Sequence, residues 1–218
     1  MKLSLPQFVL FALGLLVLAG SAILIFRLNS PGPEHASENA EMTALPDIPA
    51  QPPLQLNGLE FSVDRQRFLV QAKSVATGET VWESTGMDRF IIPGDAFPLD
   101  ISPEGNLWVG NVGRKRLEQL DPQTGRFLAS WAPQEAFLGC CNPVRFAALR
   151  NGHFVTVEKG VRQARVFDPA GNVVRVITSE LSSSEFNYQL VHVPDCVYII
   201  DKQLNRVWIV PDPEPPEQ

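Results

Sequence analysis

The sequence predicts an all-β fold built from repeated antiparallel units, and three observations support this prediction. Turn-forming residue pairs recur 47 residues apart, at Asn57-Gly58, Glu104-Gly105 and Asn151-Gly152. Short runs of apolar and β-branched residues follow these turns, as is typical of buried strands. The residues after 52 show no sustained helical period. A fixed interval of this size indicates stacked repeat units.

The composition limits both the class of protein and its partners. Of the 218 residues, 44% are hydrophobic and 19% are charged, as in ordinary globular chains, while 19 prolines and 15 glycines indicate many turns. The formal net charge is -6. Nucleic-acid binding requires clustered Lys and Arg to match the phosphates, so the acidic balance excludes it as the expected function.

Residues 1–28 are predicted to be a membrane anchor. The segment from Phe8 to Phe26 contains no charged residue, and a helix of that length spans roughly 28 Å, close to the thickness of the hydrocarbon layer. Lys2 and the small residues 19–22 also suit a cleaved signal peptide, but the apolar run continues beyond them. Positive charge before the span and acidic residues after it predict a periplasmic or extracellular location for the bulk of the chain.

Three segments follow the anchor. Residues 29–51 are rich in Pro, Ala and Glu and are predicted to be a disordered tether. Residues 52–211 contain the apolar runs and are predicted to form the folded body. Residues 212–218 carry prolines and acidic groups and are predicted to be a disordered tail.

Within the folded body, three of the repeats are predicted to contain a pair of buried strands joined by a polar turn. The first strands of these pairs are Leu107–Val109, Phe154–Val157 and Val197–Ile200, and the second strands are Leu117–Leu120, Ala164–Phe167 and Val207–Val210. Two of the second strands end in Asp-Pro turns that are completed by Gly125 and Gly171. The predicted architecture is a series of short antiparallel meanders.

The last repeat carries the residues of a known family. Its sequence VYIIDKQLNRVWIV resembles the core of an NHL repeat, in which a strand ends in Asp and an Asn-Arg-Val sequence follows. The acidic or amide position is occupied by Asp64, Asn111, Glu158 and Asp201, with Arg116 and Arg206 five residues after the second and fourth of these. The resemblance covers about residues 52–211.

This resemblance implies an NHL-type β-propeller in which each repeat forms one blade of up to four strands. Propellers of this family commonly have six blades, whereas this sequence contains four recognisable repeats. The four either close as a small propeller, or form an open array that buries its edge against another copy or a partner. The acidic or amide residue is expected to accept backbone N–H bonds, with the Arg bridging to it or to the adjacent blade. The four tryptophans are expected to pack between blades.

The loop before the third repeat has the most distinctive local sequence. Cys140, Cys141, Asn142 and Pro143 occupy it, and Asp95 has the matching place before the second repeat. Because such loops border the axial pocket of a propeller, these five residues are the predicted binding residues.

The three cysteines predict one disulfide if the body lies outside the cytoplasm. Three pairings are open: Cys140 with Cys141, or either of these with Cys196. The pairing of adjacent cysteines would be strained and easily reduced, which would make it a redox element.

Motifs of the common enzyme classes are missing from the sequence. It has no Gly-x-Ser-x-Gly elbow, no phosphate-binding Gly-rich loop and no His-Glu-x-x-His. The three histidines have no ligand spacing and there is no Cys-x-x-Cys, so neither a metal nor a cofactor is expected. Scattered carboxylates near the predicted axis, such as Asp95, Asp100 and Glu158, would be the residues available to hold a divalent ion.

The favoured interpretation is a membrane-tethered, extracytoplasmic propeller that binds a protein or small ligand at its loop face, with no predicted catalytic residue. Its partners would be the membrane, through one span, and a protein or a second copy at an open sheet edge. Two alternatives stay open: a metal-dependent hydrolase or lyase on the propeller axis, and a redox accessory factor that uses Cys140 and Cys141.

Overall fold

The computed structural model describes residue 48 and residues 50–212. The predicted anchor, most of the predicted tether and the tail after Asp212 lie outside the described residues. Within the described part of the chain, no helix combines the length and apolar character needed to cross a bilayer.

The described residues form four antiparallel sheets, which we call blades 1 to 4, and each sheet keeps the order of its strands in the chain. Blade 1 consists of β1 (Gln55–Leu56), β2 (Leu59–Asp64), β3 (Leu69–Ser74) and β4 (Thr80–Ser84). Blade 2 consists of β5 (Leu99–Ile101), β6 (Leu107–Asn111), β7 (Arg116–Leu120) and β8 (Phe127–Trp131). Blade 3 consists of β9 (Arg145–Ala148), β10 (Phe154–Glu158), β11 (Gln163–Phe167) and β12 (Val173–Thr178). Blade 4 consists of β13 (Tyr188–Val193), β14 (Cys196–Asp201) and β15 (Arg206–Pro211). Single turns of 3-10 helix lie at Val112–Arg114, Arg150–Gly152 and Glu185–Asn187.

The blades form the predicted all-β, four-bladed propeller arrangement. The innermost strand of blade 3, β9, lies beside both β5 and β13, the innermost strands of its two neighbours. All strands within a blade are antiparallel, so the turns fall on two opposite faces. The upper face carries the turns between the second and third strands and the segments that enter each blade. The lower face carries the turns between the first and second strands.

Three apolar clusters of the described residues fill successive blade junctions. One joins blades 1 and 2 around Phe61, Trp82 and Leu107. A smaller cluster joins blades 2 and 3, where Trp108 packs edge-on against Phe154 with ring centres 5.0 Å apart. The third joins blades 3 and 4. These clusters are the core of the body, because the inward strand faces are apolar and the outer strands are largely exposed.

The contact between blade 4 and the start of blade 1 is polar. Gln51, which precedes β1, accepts a hydrogen bond through Oε1 from the backbone N–H of His192 at 3.1 Å. Gln51 and Asp212, near the two ends of the described body, therefore both lie towards the lower face. The N–H of Asp212 donates to the carbonyl of Asp195 at 2.9 Å, which holds the end of the body against the β13–β14 turn.

The 47-residue interval corresponds to the turns on the lower face. Asn57, Gly58, Gly105, Asn151 and Gly152 all have positive φ angles there, between 52° and 82°. Asn and Gly tolerate this left-handed backbone better than other residues, which explains why these pairs recur.

The five-residue spacing of the acidic and basic positions has an equally direct cause. Asn111 and Arg116 are cross-strand partners at the end of a hairpin, and so are Asp201 and Arg206. Four residues form each connecting turn, and the last residue of each turn has a left-handed backbone. These left-handed residues are Phe68, Lys115, Arg162 and Asn205.

The acidic or amide position accepts backbone N–H bonds, as predicted, and in three blades the donor belongs to the segment that arrives from the preceding blade. Asn111 Oδ1 accepts from the N–H of Ile91 at 3.0 Å, and Glu158 Oε2 accepts from that of Leu138 at 3.1 Å. The same bond in blade 4 joins Asp201 Oδ2 to the N–H of Ser182 at 2.6 Å. In blade 1, Asp64 caps its own turn through the N–H groups of Gln66 and Arg67.

The arginines five residues later do not bridge to these positions. Arg116 pairs with the fully buried Glu118 at 2.7 Å, and Arg206 pairs at 2.8 Å with Glu180, in the segment that connects blade 3 to blade 4. The side chains of Asn111 and Asp201 are instead occupied by backbone N–H groups of the entering segments. The ion pair of Arg206 therefore joins blade 4 to the connecting segment and not to a strand of the adjacent blade.

Packing of the tryptophans between blades is also confirmed. Trp82 Nε1 donates to the carbonyl of Pro122 at 3.1 Å, and Trp131 Nε1 donates to that of Pro169 at 3.0 Å. Each bond joins the outer strand of one blade to the Asp-Pro turn of the next. The other two tryptophans, Trp108 and Trp208, pack against the clusters at the 2/3 and 3/4 junctions.

Candidate functional site

All four blades contribute residues to one pocket on the upper face. Its volume is about 190 Å³, and its lining consists of Arg65, Asp95, Ala96, Arg145, Glu185 and Phe186. Blade 1 contributes the β2–β3 turn, blade 3 contributes the first residue of β9, and blades 2 and 4 contribute their entering segments. A pocket at the meeting point of several rigid elements is the usual place for a ligand in such a scaffold. We call it the axial pocket.

Arg145 is a half-buried cation in this pocket. Its Nη1 donates to the backbone carbonyl of Val144 at 2.7 Å. Burial, reinforced by the nearby charge of Arg65, lowers the pKa of Arg145 from its usual value, against the opposing influence of Glu185. Both causes disfavour the charged form, so the pocket holds positive charge that is only partly compensated.

Glu185, one of the two carboxylates in the lining of the pocket, is already paired with a lysine. Lys159 Nζ lies 2.9 Å from Glu185 Oε2, and the hydrogen bond to Glu185 is the largest cause of the raised pKa of Lys159. Asp95, by contrast, is exposed and has no ion pair among the described residues. The pocket therefore presents two guanidinium groups and one accessible carboxylate.

Exposed apolar side chains also lie on the upper face. These residues, which we call the apolar rim, lie in the turns and entering segments and are Phe68, Met87, Ile91, Leu138, Phe186 and Leu204. Phe186 is 70% exposed and also lines the axial pocket. Large exposed apolar groups on one face are characteristic of binding surfaces.

The structure separates the predicted binding residues into two groups. Asp95 is among the lining residues of the axial pocket, and its role in binding stays a prediction. The Cys140–Pro143 loop lies on the same face but is not among the lining residues of the pocket, and Asn142 and Pro143 are buried. Asn142 fixes this loop to the end of β10, because its Oδ1 accepts from the N–H of Lys159 at 3.0 Å and its Nδ2 donates to the carbonyl of Lys159 at 3.1 Å.

Sequence reasoning missed Arg65, Arg145, Glu185 and Phe186. Glu185 and Phe186 lie in the segment that enters blade 4, so applying the loop rule to the fourth repeat would have found them. Arg65 and Arg145 carry no motif, and only the assembled blades bring them together.

All three cysteines are thiols in the structure. Cys140 is exposed, whereas burial and the neighbouring Cys140 thiol raise the pKa of the half-buried Cys141. Cys196 starts β14 at the lower end of its blade, the end opposite to the Cys140–Cys141 loop. Since a disulfide requires Cα atoms within about 7 Å, only the pairing of Cys140 with Cys141 joins sulfurs on the same face. The predicted disulfide stays a prediction.

Near the lower end of the inner strands, a buried carboxylate connects three blades. Asp100 Oδ2, on β5, accepts from the N–H of Ala148 at 2.7 Å and lies 2.9 Å from His192 Nδ1 on β13. Burial acts to lower the pKa of His192, but the hydrogen bond and charge of Asp100 outweigh it, so the pKa of His192 is raised.

The carboxylates considered as ion ligands are not brought together. Asp95 lies in the axial pocket, Asp100 pairs with His192, and Glu158 is fully buried against Arg165 at 2.7 Å. Over residues 50–212, no group of three or more His, Cys, Asp or Glu side chains has an arrangement that could hold a metal ion.

No family model matches the chain. A curated relative from Caenorhabditis elegans, described as a probable peptidyl-alpha-hydroxyglycine alpha-amidating lyase, is 30% identical over 146 residues, which are 61% of this chain and 41% of that protein. The chain thus spans less than half the length of this relative.

Similar solved structures include a streptogramin B lyase, with a TM-score of 0.48 and 12% identity over 71% of this chain and 48% of that chain. A hydrazine synthase from Kuenenia stuttgartiensis has a TM-score of 0.43 and 16% identity over 71% of this chain and 46% of that chain. The fold assignment therefore rests on the four blades themselves.

Proposed function

We propose that this protein is a membrane-tethered, extracytoplasmic binding propeller whose upper face receives a protein or a small ligand. The observation that carries the proposal is the axial pocket, to which all four blades contribute and which lies on the same face as the apolar rim. The blades supply a rigid scaffold, and the turns and entering segments supply the variable contact groups.

The uncharged segment at residues 8–26 and the charges on either side of it support the membrane-tethered, extracytoplasmic location. Protease added to intact spheroplasts tests the location: digestion of the body is the expected result, and full protection contradicts it.

Site-specific crosslinking tests the binding face. A photoreactive amino acid would replace Phe186 or Leu138 on the apolar rim, and Leu128 or Val174 on outer strands as matched exposed controls. The full-length chain is irradiated in its native membrane, and the adducts are identified by mass spectrometry. We expect both rim positions to capture the same molecule and both outer positions to capture nothing specific. Equal capture at the outer positions contradicts the proposal.

Similarity to the amidating lyase favours lyase activity as a second candidate function. The test is incubation of the full-length protein with a peptidyl-α-hydroxyglycine, with and without added divalent ions, followed by mass spectrometry of the peptide amide. Formation of the amide above the rate without protein supports this candidate. A rate equal to that blank removes it.

A redox role for Cys140 and Cys141 is a third candidate, favoured by their adjacent positions at the upper face. Alkylation of the native protein before and after reduction, followed by mass measurement, decides it. Three alkylated thiols without reductant exclude the redox role, whereas one alkylated thiol that becomes three after reduction supports it.

Self-association is the remaining partner proposal. Within the described residues blade 4 has three strands where the other blades have four, so β15 offers its outer edge at the place where a fourth strand pairs in the other blades. Light scattering of the full-length protein tests it: a dimer or larger assembly agrees with the proposal, and a monomer at all concentrations contradicts it.

A further inference from the structure

We infer that the axial pocket binds a carboxylate group, with the Arg145 guanidinium as its principal partner and Arg65 as the second. The inference rests on the proposed function and narrows it to one ligand chemistry. It depends on the charge balance of the pocket, on the size of the pocket and on the position of Phe186.

Arg145 is a half-buried arginine that lines a pocket and has no carboxylate partner. Four other buried or half-buried arginines of the described residues each have a carboxylate oxygen within 3.7 Å: Arg116, Arg150, Arg165 and Arg206. Arg175 is also half-buried and without an ion pair, but it lies on the outer strand β12 and does not line the pocket. Among residues 50–212, neither Arg145 nor the exposed Arg65 forms an ion pair. A buried charge is costly unless an opposite charge and hydrogen bonds compensate it. Arg145 instead keeps its planar fork beside a cavity, with one bond to a backbone carbonyl.

The carboxylates already in the pocket leave this role open to a ligand. Glu185 is already paired with Lys159 at 2.9 Å and forms no ion pair with Arg145. Asp95 lines the pocket and is exposed. An arginine fork matches the two oxygens of a carboxylate, whereas Asp95 can accept an N–H group. The set of charges is therefore complementary to a carboxylate with an amide N–H beside it.

The dimensions of the pocket limit what enters it. A volume of about 190 Å³ admits the carboxylate and the few atoms next to it, but not a large molecule. Phe186 is exposed at the mouth and can pack against the part of the ligand that stays outside. Two sources supply this chemistry: the C-terminus of a polypeptide and a small N-acylated amino acid.

Titration calorimetry of the full-length protein in mild detergent tests the inference. The probes are acetyl-Ala-Phe-Gly with a free C-terminal carboxylate, the same peptide as its C-terminal amide, and N-acetylglycine. The variants are Arg145→Gln, which removes the charge and keeps the length, and Arg145→Lys, which keeps the charge and removes the fork. Arg175→Gln is the matched control, because Arg175 is half-buried and without an ion pair on the outer strand β12.

We expect the free acid to bind at least tenfold more tightly than the amide. Arg145→Gln should abolish this difference, Arg145→Lys should leave part of it, and Arg175→Gln should leave all of it. N-acetylglycine that binds as tightly as the peptide identifies a small acid as the source, and weaker binding identifies a polypeptide end.

Equal binding of acid and amide overturns the inference, and so does unchanged acid binding by a folded Arg145→Gln variant or the absence of binding by every probe. The proposed function is judged separately, since crosslinking at Phe186 and Leu138 does not depend on a carboxylate. If Arg145→Gln does not fold, the acid and amide affinities of the unaltered protein decide the matter.

Discussion

Asp100 on blade 2 holds His192 on blade 4, with 2.9 Å between Oδ2 and Nδ1, and both side chains are over 90% buried. The same carboxylate oxygen accepts the N–H of Ala148 on blade 3. The Asp100 side chain therefore joins the inner strands of blades 2, 3 and 4, although blades 2 and 4 are not consecutive in the sequence.

This pair predicts that the stability of the protein depends on pH. The pKa of His192 in the folded state lies above its unfolded value of about 6.5, despite burial and Arg150, because Asp100 and Asp212 favour the charged ring. Its stabilisation is therefore complete below pH 6.5 and is lost as pH rises through the folded pKa. Urea unfolding between about pH 5.5 and 9 should show this loss.

The variant His192→Gln supplies the comparison for that experiment. His192→Gln should lack the loss of unfolding free energy that the unaltered protein shows as pH rises above about 6.5. His153→Gln, the control at another half-buried histidine, should retain this loss. If the free energy of unfolding varies with pH in the same way for the unaltered protein and for His192→Gln, the prediction is contradicted.

The buried pair of Glu158 and Arg165 should be costly to break. Its bonds are 2.7 and 2.8 Å long and both side chains are almost fully buried. Arg165→Met leaves Glu158 charged and without its ion partner, so the free energy of unfolding should fall by about 3–5 kcal/mol. The exposed pair of Arg206 and Glu180 is the control, and Arg206→Met should cost less than about 1 kcal/mol. Equal losses measured by urea unfolding would contradict the prediction.

Gly125 should tolerate no side chain. It has a φ of +70°, and an added Cβ would lie 2.8 Å from Cδ2 of Trp82, the tryptophan that joins blades 1 and 2. Gly125→Ala therefore combines backbone strain with a clash and should destabilise the fold by more than about 2 kcal/mol. Gly78→Ala isolates the strain, because Gly78 has a φ of +73° and no atom within 4 Å of the added Cβ. Similar unfolding midpoints for the two variants would exclude the clash.

The two adjacent thiols should differ in reactivity. Cys140 is exposed, whereas the pKa of Cys141 is raised by burial and by its neighbour. Since the thiolate is the reactive form, iodoacetamide at about pH 8 should label Cys140 several-fold faster than Cys141. Peptide mapping after short exposures measures the ratio, and Cys140→Ser should raise the labelling rate of Cys141. Faster labelling of Cys141 in the unaltered protein would contradict the structural assignment.

The sequence predicts the blades well because their signals are local. Turn residues such as Asn151 and Gly152 and the apolar runs beside them depend on the backbone angles and burial of a few neighbouring residues. The number of repeats is therefore confirmed, and the paired strands lie where predicted, although each is one or two residues longer than predicted. The partner of Arg206 was not predictable in the same way, because Glu180 lies 26 positions earlier, in the segment that connects blades 3 and 4.

The axial pocket depends on contacts that no local pattern records. Arg65 and Arg145 are 80 positions apart in the chain and meet only after four blades have assembled. Asp95 was predicted because its loop could be aligned with the Cys140–Pro143 loop. That loop carried the most unusual sequence, yet Asn142 serves mainly to fix it to β10.

The pocket also draws on blade 1 and blade 4, the first and last blades of the array, through Arg65 and Glu185. The apolar clusters of the described residues fill the other three junctions, so the ends of the array meet through polar contacts. A ligand bound between Arg65 and Glu185 would connect blade 1 to blade 4 at the junction that no apolar cluster of the described residues fills. A bound ligand would then slow the separation of blade 1 from blade 4. Slower hydrogen exchange of the backbone amides in β1 and β13 would measure this effect.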